Sequence, residues 1–140
     1  MAVGFRVIGA IALVVSLAAF AGCSQAGGAA LEGSSWRLVA SSVSSVDLGA
    51  AGITATFTDG SVGGTGGVNS YSASYALGRS GSIEIGMVTS TLMASADEDL
   101  NRAEAAYFAL LPEVARWSLD EDGRLVLADE GGSPLLVFMK

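Results

Sequence analysis

The sequence contains no histidine. That removes the side chain that titrates nearest neutral pH, the base of Ser-His and Cys-His nucleophile pairs, and the commonest metal ligand. Cysteine occurs once, at Cys23, so no intramolecular disulfide can form and thiolate zinc sites are excluded. Positive charge is also scarce, with 7 basic against 14 acidic residues and a formal net charge of −7. Arg6 is the only basic residue before Cys23, and every acidic residue lies after it. The part beyond Cys23 is therefore more negative than the whole. It has no cationic footprint for nucleic acid, and anionic lipid headgroups would repel it. Proline is confined to Pro112 and Pro134, which leaves long stretches free to form regular structure.

What is present begins with an apolar leader. Met1–Arg6 carries one positive charge, and Val7–Gly22 is apolar or small throughout except for Ser16. The run is shorter than the roughly 20 residues a membrane-spanning helix needs and has the layout of an export signal. It ends in Phe20-Ala21-Gly22-Cys23, which resembles the lipobox of bacterial lipoproteins, with Phe20 where an aliphatic residue is usual. Residues 1–22 are thus expected to be a signal peptide and Cys23 a lipidated N-terminus. Two acyl chains of the palmitate type suffice for stable anchoring. An ordinary secretory signal or an uncleaved anchor is the alternative. Residues 23–30, small and rich in Gly and Ala, read as a flexible tether, and 31–140 as one domain. The expected location is the cell envelope, outside the cytoplasm and held to the membrane by Cys23.

From Leu31 the hydropathy alternates with period two. Strands are expected over 35–40, 53–57, 61–67, 71–77 and 83–85, with a further short one within 87–92. Asp59-Gly60 and Asp122-Gly123 are hairpin signals. The period then lengthens. Ser95-Ala96-Asp97-Glu98 has the capping-box pattern with Ser95 as N-cap, and Leu100, Ala103, Tyr107, Leu110 and Leu111 form an apolar face. This predicts one α-helix over about 96–111, stopped by Pro112. Strands resume at 115–119, 124–127 and 135–139. The order predicts a mainly β fold: a curled antiparallel sheet or partly open β-barrel with the helix packed against it.

Three stretches together resemble the META-domain family, which includes the HslJ-like heat-shock proteins. Gly67-Val68-Asn69-Ser70-Tyr71-Ser72-Ala73-Ser74-Tyr75 is similar to the family's Gly-Cys-Asn-x-Tyr-x-Gly-x-Tyr. Thr91-Leu92-Met93-Ala94-Ser95 is similar to its Thr-x-Met-Ala-Cys, and Leu31–Leu38 to its Leu-x-Gly-x-x-Trp-x-Leu opening. The resemblance spans about Leu31–Phe138. Val68 and Ser95 stand where the family carries cysteines, and Ala73 where it carries glycine, so no thiol role survives here. The resemblance implies a small β domain with one helix, a link to stress response, drug tolerance or secretion, and no established catalytic residues. It singles out Gly67, Asn69, Tyr71, Thr91 and Met93 as motif residues that are either structural or binding.

The remaining patterns favour plain readings. Gly63–Gly67 lacks the Gly-Lys-Ser/Thr end of a phosphate loop and reads as strand geometry: a bulge, sharp curvature or close backbone approach. Asp120-Glu121-Asp122-Gly123 lacks the ligand spacing of a calcium loop. Asp97-Glu98-Asp99 suits a helix start. Trp36, Trp117 and Tyr75 read as core aromatics. Asp59 and Glu84 could serve as a carboxylate pair only if the fold converged them. Neither a catalytic group, a metal site nor a cofactor is expected. The leading function is a non-enzymatic envelope lipoprotein that binds an envelope protein. The alternative is a carrier of a small apolar ligand in a barrel-like interior.

Overall fold

The computed structural model describes residues 30–43 and 45–140; the expected signal peptide, Cys23 and the expected tether up to residue 29 lie outside them. The chain order is β1 (Ser34–Ser41), β2 (Thr54–Thr58), β3 (Ser61–Thr65), β4 (Ser70–Leu77), β5 (Ile83–Ile85), β6 (Thr89–Ser90), α1 (Glu98–Leu110), β7 (Arg116–Leu119), β8 (Leu125–Ala128) and β9 (Pro134–Met139). All the pairings are antiparallel, in the order β5-β4-β3-β2-β1-β9-β8-β7, with β6 on the outer side of β4. The sheet curls until its two ends touch through one bridge, Ser82 with Arg116, where the Ile83 N–H donates to the Ala115 carbonyl at 3.0 Å. No ladder forms there. The sheet is curled as expected and is not a closed barrel.

Alternation sets which face is buried. Trp36 and Leu38 on β1, Ala55 and Phe57 on β2, and Tyr71 and Ala73 on β4 point inward, while Thr56, Ser72 and Ser74 stand outside. The β2–β3 turn is the one its sequence signals: Asp59 and Gly60 both take positive φ, 51° and 74°. That twist matches the flanking strands. The concave side is filled by side chains such as Phe57, Tyr107, Phe138, Leu125 and Leu136, none more than 1% exposed. Trp36 joins this core, whereas Trp117 and Tyr75 are only half-buried against it.

The helix differs at its start from the expected pattern. Asp97, not Ser95, is the N-cap: its side chain accepts from the Asp99 and Leu100 N–H groups at 2.9 and 3.4 Å. Ser95 Oγ instead accepts from the Asp97 N–H at 3.1 Å, and Asn101 clasps the Ser95 backbone through both ends of its amide. The carboxylate two residues on offers a stronger, charged acceptor to the same free amides. A 3₁₀ turn at Leu111–Glu113 carries the helix into Pro112 and ends it. The strand expected within 87–92 shrinks to Thr89–Ser90, and the one expected over 61–67 stops at Thr65.

Candidate functional site

The β3–β4 connection is pressed against α1. Gly66 allows this, because a Cβ there would lie 2.7 Å from the Phe108 ring and 2.9 Å from Glu104 Oε2. Gly67 follows at φ 114°, which few L residues adopt. The loop thereby turns two backbone amides onto one carboxylate. Glu104 Oε2 accepts from the Val68 N–H at 2.9 Å and from the Asn69 N–H at 2.5 Å. Glu104 Oε1 accepts from Asn69 Nδ2 at 2.5 Å. Glu104 is buried, and among the described residues no Lys or Arg lies within salt-bridge reach. Three N–H donors are what compensate its desolvated charge.

Asn69, also buried, uses its whole amide. Besides Glu104, Nδ2 donates to the Met93 carbonyl at 2.9 Å, while Oδ1 accepts from the Met93 N–H at 2.6 Å and from Thr91 Oγ1 at 2.9 Å. A carboxylate can only accept, so the amide can face Glu104 in one orientation only. For Met93 the side chain of Asn69 stands in for a neighbouring strand, supplying both an acceptor and a donor. The Thr91 N–H continues the pairing to the Ser70 carbonyl at 3.1 Å.

Tyr71 extends the network into the core. Its hydroxyl donates to the Thr54 carbonyl at 2.8 Å and lies 2.7 Å from the Tyr107 hydroxyl. With its one proton committed to Thr54, Tyr71 must accept from Tyr107. Burial pushes the Tyr71 hydroxyl up to about 12, and burial together with Tyr71 raises Tyr107 well above the ordinary tyrosine value. A separate latch lies near the surface. Tyr75 donates to Glu32, which also accepts from the Asp59 N–H at 2.5 Å. Desolvation first and the Glu32 carboxylate second push Tyr75 up to about 12, while the Tyr75 hydrogen bond holds Glu32 below its usual range.

The motif residues Gly67, Asn69, Tyr71, Thr91 and Met93 thus share one connected region. Glu104, the residue at its centre, escaped the sequence reading. The available signal was its position: four residues after Leu100 and three before Tyr107, a charge inside the apolar stripe of α1. The Asp59 N–H bonds Glu32 in the Tyr75 latch, and no hydrogen bond joins Asp59 to Glu84.

The network holds a segment that buries little. Leu92 is 97% exposed, Met87 87% and Met93 64%. Between this segment and α1 run two adjoining open hollows of about 540 and 360 Å³ that share Ser90 and Phe108. Val88, Met93, Phe108 and Pro112 are among their walls.

The profile of the META domain family matches residues 29–140. This chain belongs to the META-domain family. A solved NMR structure of a protein from Burkholderia xenovorans is similar, with a TM-score of 0.61 and 25% identity over 77% of this chain and 81% of that one. No curated protein matches. In this META domain two of the three stretches that carry the family resemblance, 67–75 and 91–95, meet at Asn69.

Proposed function

We propose that this META-domain chain is a non-enzymatic lipoprotein of the cell envelope, anchored through Cys23, that docks an envelope partner on residues 86–94 and so supports stress or drug tolerance. One observation carries the reading. A buried carboxylate and a fully bonded buried amide fix the backbone of a segment whose large apolar side chains project into solvent. Burying a charge is unfavourable, and the segment returns almost no packing for it. Such an arrangement suits a binding edge whose order is set before the partner arrives. Clustered exposed apolar groups beside a groove favour a macromolecular partner. The non-enzymatic part rests on the lack of histidine and on Glu104 having its oxygens taken up by backbone and amide donors. The carrier reading has less support, because the concave side of the sheet is filled.

A photoreactive residue placed at Leu92 in living cells tests the docking, with Thr56 on the outer face of β2 as control. A discrete adduct from Leu92, absent from Thr56 and weakened by Glu104→Gln, is expected. Identical patterns from the two positions would refute the docking face. Intact mass of the membrane-extracted protein beside Cys23→Ala tests the anchor, and an unlipidated wild type would refute it.

A further inference from the structure

We infer that the partner enters as an added β-strand: an extended, uncharged stretch of polypeptide with alternating apolar side chains, laid between β6 and α1. The inference rests on the docking reading and specifies its chemistry. The register of β6 decides which backbone groups are free. Tyr71 faces Ser90 and Ser72 faces Thr89, and the Thr91 N–H bonds the Ser70 carbonyl. In an antiparallel ladder the bonded and non-bonded pairs alternate, so Thr89 and Thr91 turn their N–H and C=O toward β4. Met93 continues that phase onto the Asn69 amide. Ser90 and Leu92 must then point their backbone groups the other way: β6 pairs with β4 alone, and no turn, loop or cap bond among the described residues uses the backbone of either.

That outer edge opens onto the groove beside α1. The other polar groups of the groove are already engaged: Glu104 with the 68–69 amides, Asn69 with Met93, and Asn101 with Ser95. What remains is a row of backbone donors and acceptors at strand spacing between apolar walls. A lipid or a charged metabolite cannot satisfy alternating N–H and C=O groups. An extended peptide does so along its length, and its alternate side chains would fall into the two hollows at Val88 and Phe108 on one side and Met93 on the other. Exposed edges of this kind pair readily with another chain.

The test uses the intact protein in detergent and a displayed library of random octapeptides, counter-selected on Ser90→Pro. Proline at position 90 removes only an outward N–H, and the extended backbone of Thr89 already suits the residue before a proline. The variant should therefore unfold within a few degrees of wild type. Enriched peptides should carry apolar residues at every second position. N-methylation of their groove-facing amides should weaken binding at least tenfold, as should Ser90→Pro, whereas Ser90→Ala should bind like wild type. Should Ser90→Pro fail to fold, the N-methylated peptides still decide the question. Peptides that bind equally well with and without N-methyl groups would overturn strand addition, while a Leu92 adduct in cells would leave the docking face standing. No enrichment over Ser90→Pro would overturn the inference. So would a wild-type dimer that Ser90→Pro dissociates, since a second copy would then occupy the edge.

Discussion

At the scale of single residues, Asn69 and Glu104 hold the exposed segment in place. Asn69→Ala removes partners from Glu104, Met93 and Thr91 together. Leaving buried groups unsatisfied costs about 1–3 kcal/mol each, so a loss on the order of 2–4 kcal/mol is expected in urea unfolding. A loss below about 1 kcal/mol would mean that water replaces the network freely. Tyr71→Phe orphans the Thr54 carbonyl and the Tyr107 hydroxyl and should cost about 1–3 kcal/mol. The tyrosines also set the alkaline limit. Their hydroxyls titrate higher folded than unfolded, so the folded state holds the proton longer and is favoured below the ordinary tyrosine value of 10.0. For Tyr71 that advantage disappears as pH rises from there through about 12, and the raised Tyr107 hydroxyl acts in the same sense. Glu32 and Asp120 act in the opposite sense: held low by Tyr75 and by the Arg124 N–H, they contribute above their ordinary values of 4.5 and 3.8, and that contribution is lost as pH falls from there through their lowered folded values. The urea midpoint should therefore drop between pH 8 and pH 11, more gently in Tyr71→Phe. An equal drop in both proteins would contradict the assignment. Asn69 and Tyr71 were legible as motif residues, but their role was not. Glu104 was hidden because its partners lie some 35 positions away.

At the scale of elements, the helix was legible because its apolar spacing reports the buried face directly, whereas its first turn was not. Ser95 and Glu98 satisfy the capping-box pattern, yet Asp97 receives the amides. Asp97→Ala should cost about 1 kcal/mol and Ser95→Ala markedly less, measured by thermal unfolding. The reverse order would restore the box. The segment 87–92 carried a strand-like pattern, but only two of its residues find a ladder, and a side chain completes the pairing beyond them. Pattern alone cannot distinguish a strand paired with a strand from one paired with an asparagine. The glycine cluster signals a bulge, sharp curvature or close approach, and at Gly66 it is close approach, since Gly66→Ala would drive Phe108 and Glu104 aside. That substitution should weaken partner capture at Leu92 as well as stability, because both displaced residues border the groove.

At the scale of the whole molecule, sequence order predicted a curled β sheet with one helix, and the topology adds what order could not. The first strand pairs with the last, and the two end strands meet at one bridge. Those contacts join residues far apart in the chain, where local hydropathy has no reach. The resulting shape leaves the core filled and the β6 edge, beside α1, open. This edge is exposed yet held rigid by the buried network. Backbone ¹⁵N order parameters at Leu92 and Met93 test it most directly. The wild type should give values near 0.85, like the strands, and Glu104→Gln should lower them toward 0.6. Values below about 0.6 in the wild type would contradict the claim, because the buried network would then order nothing.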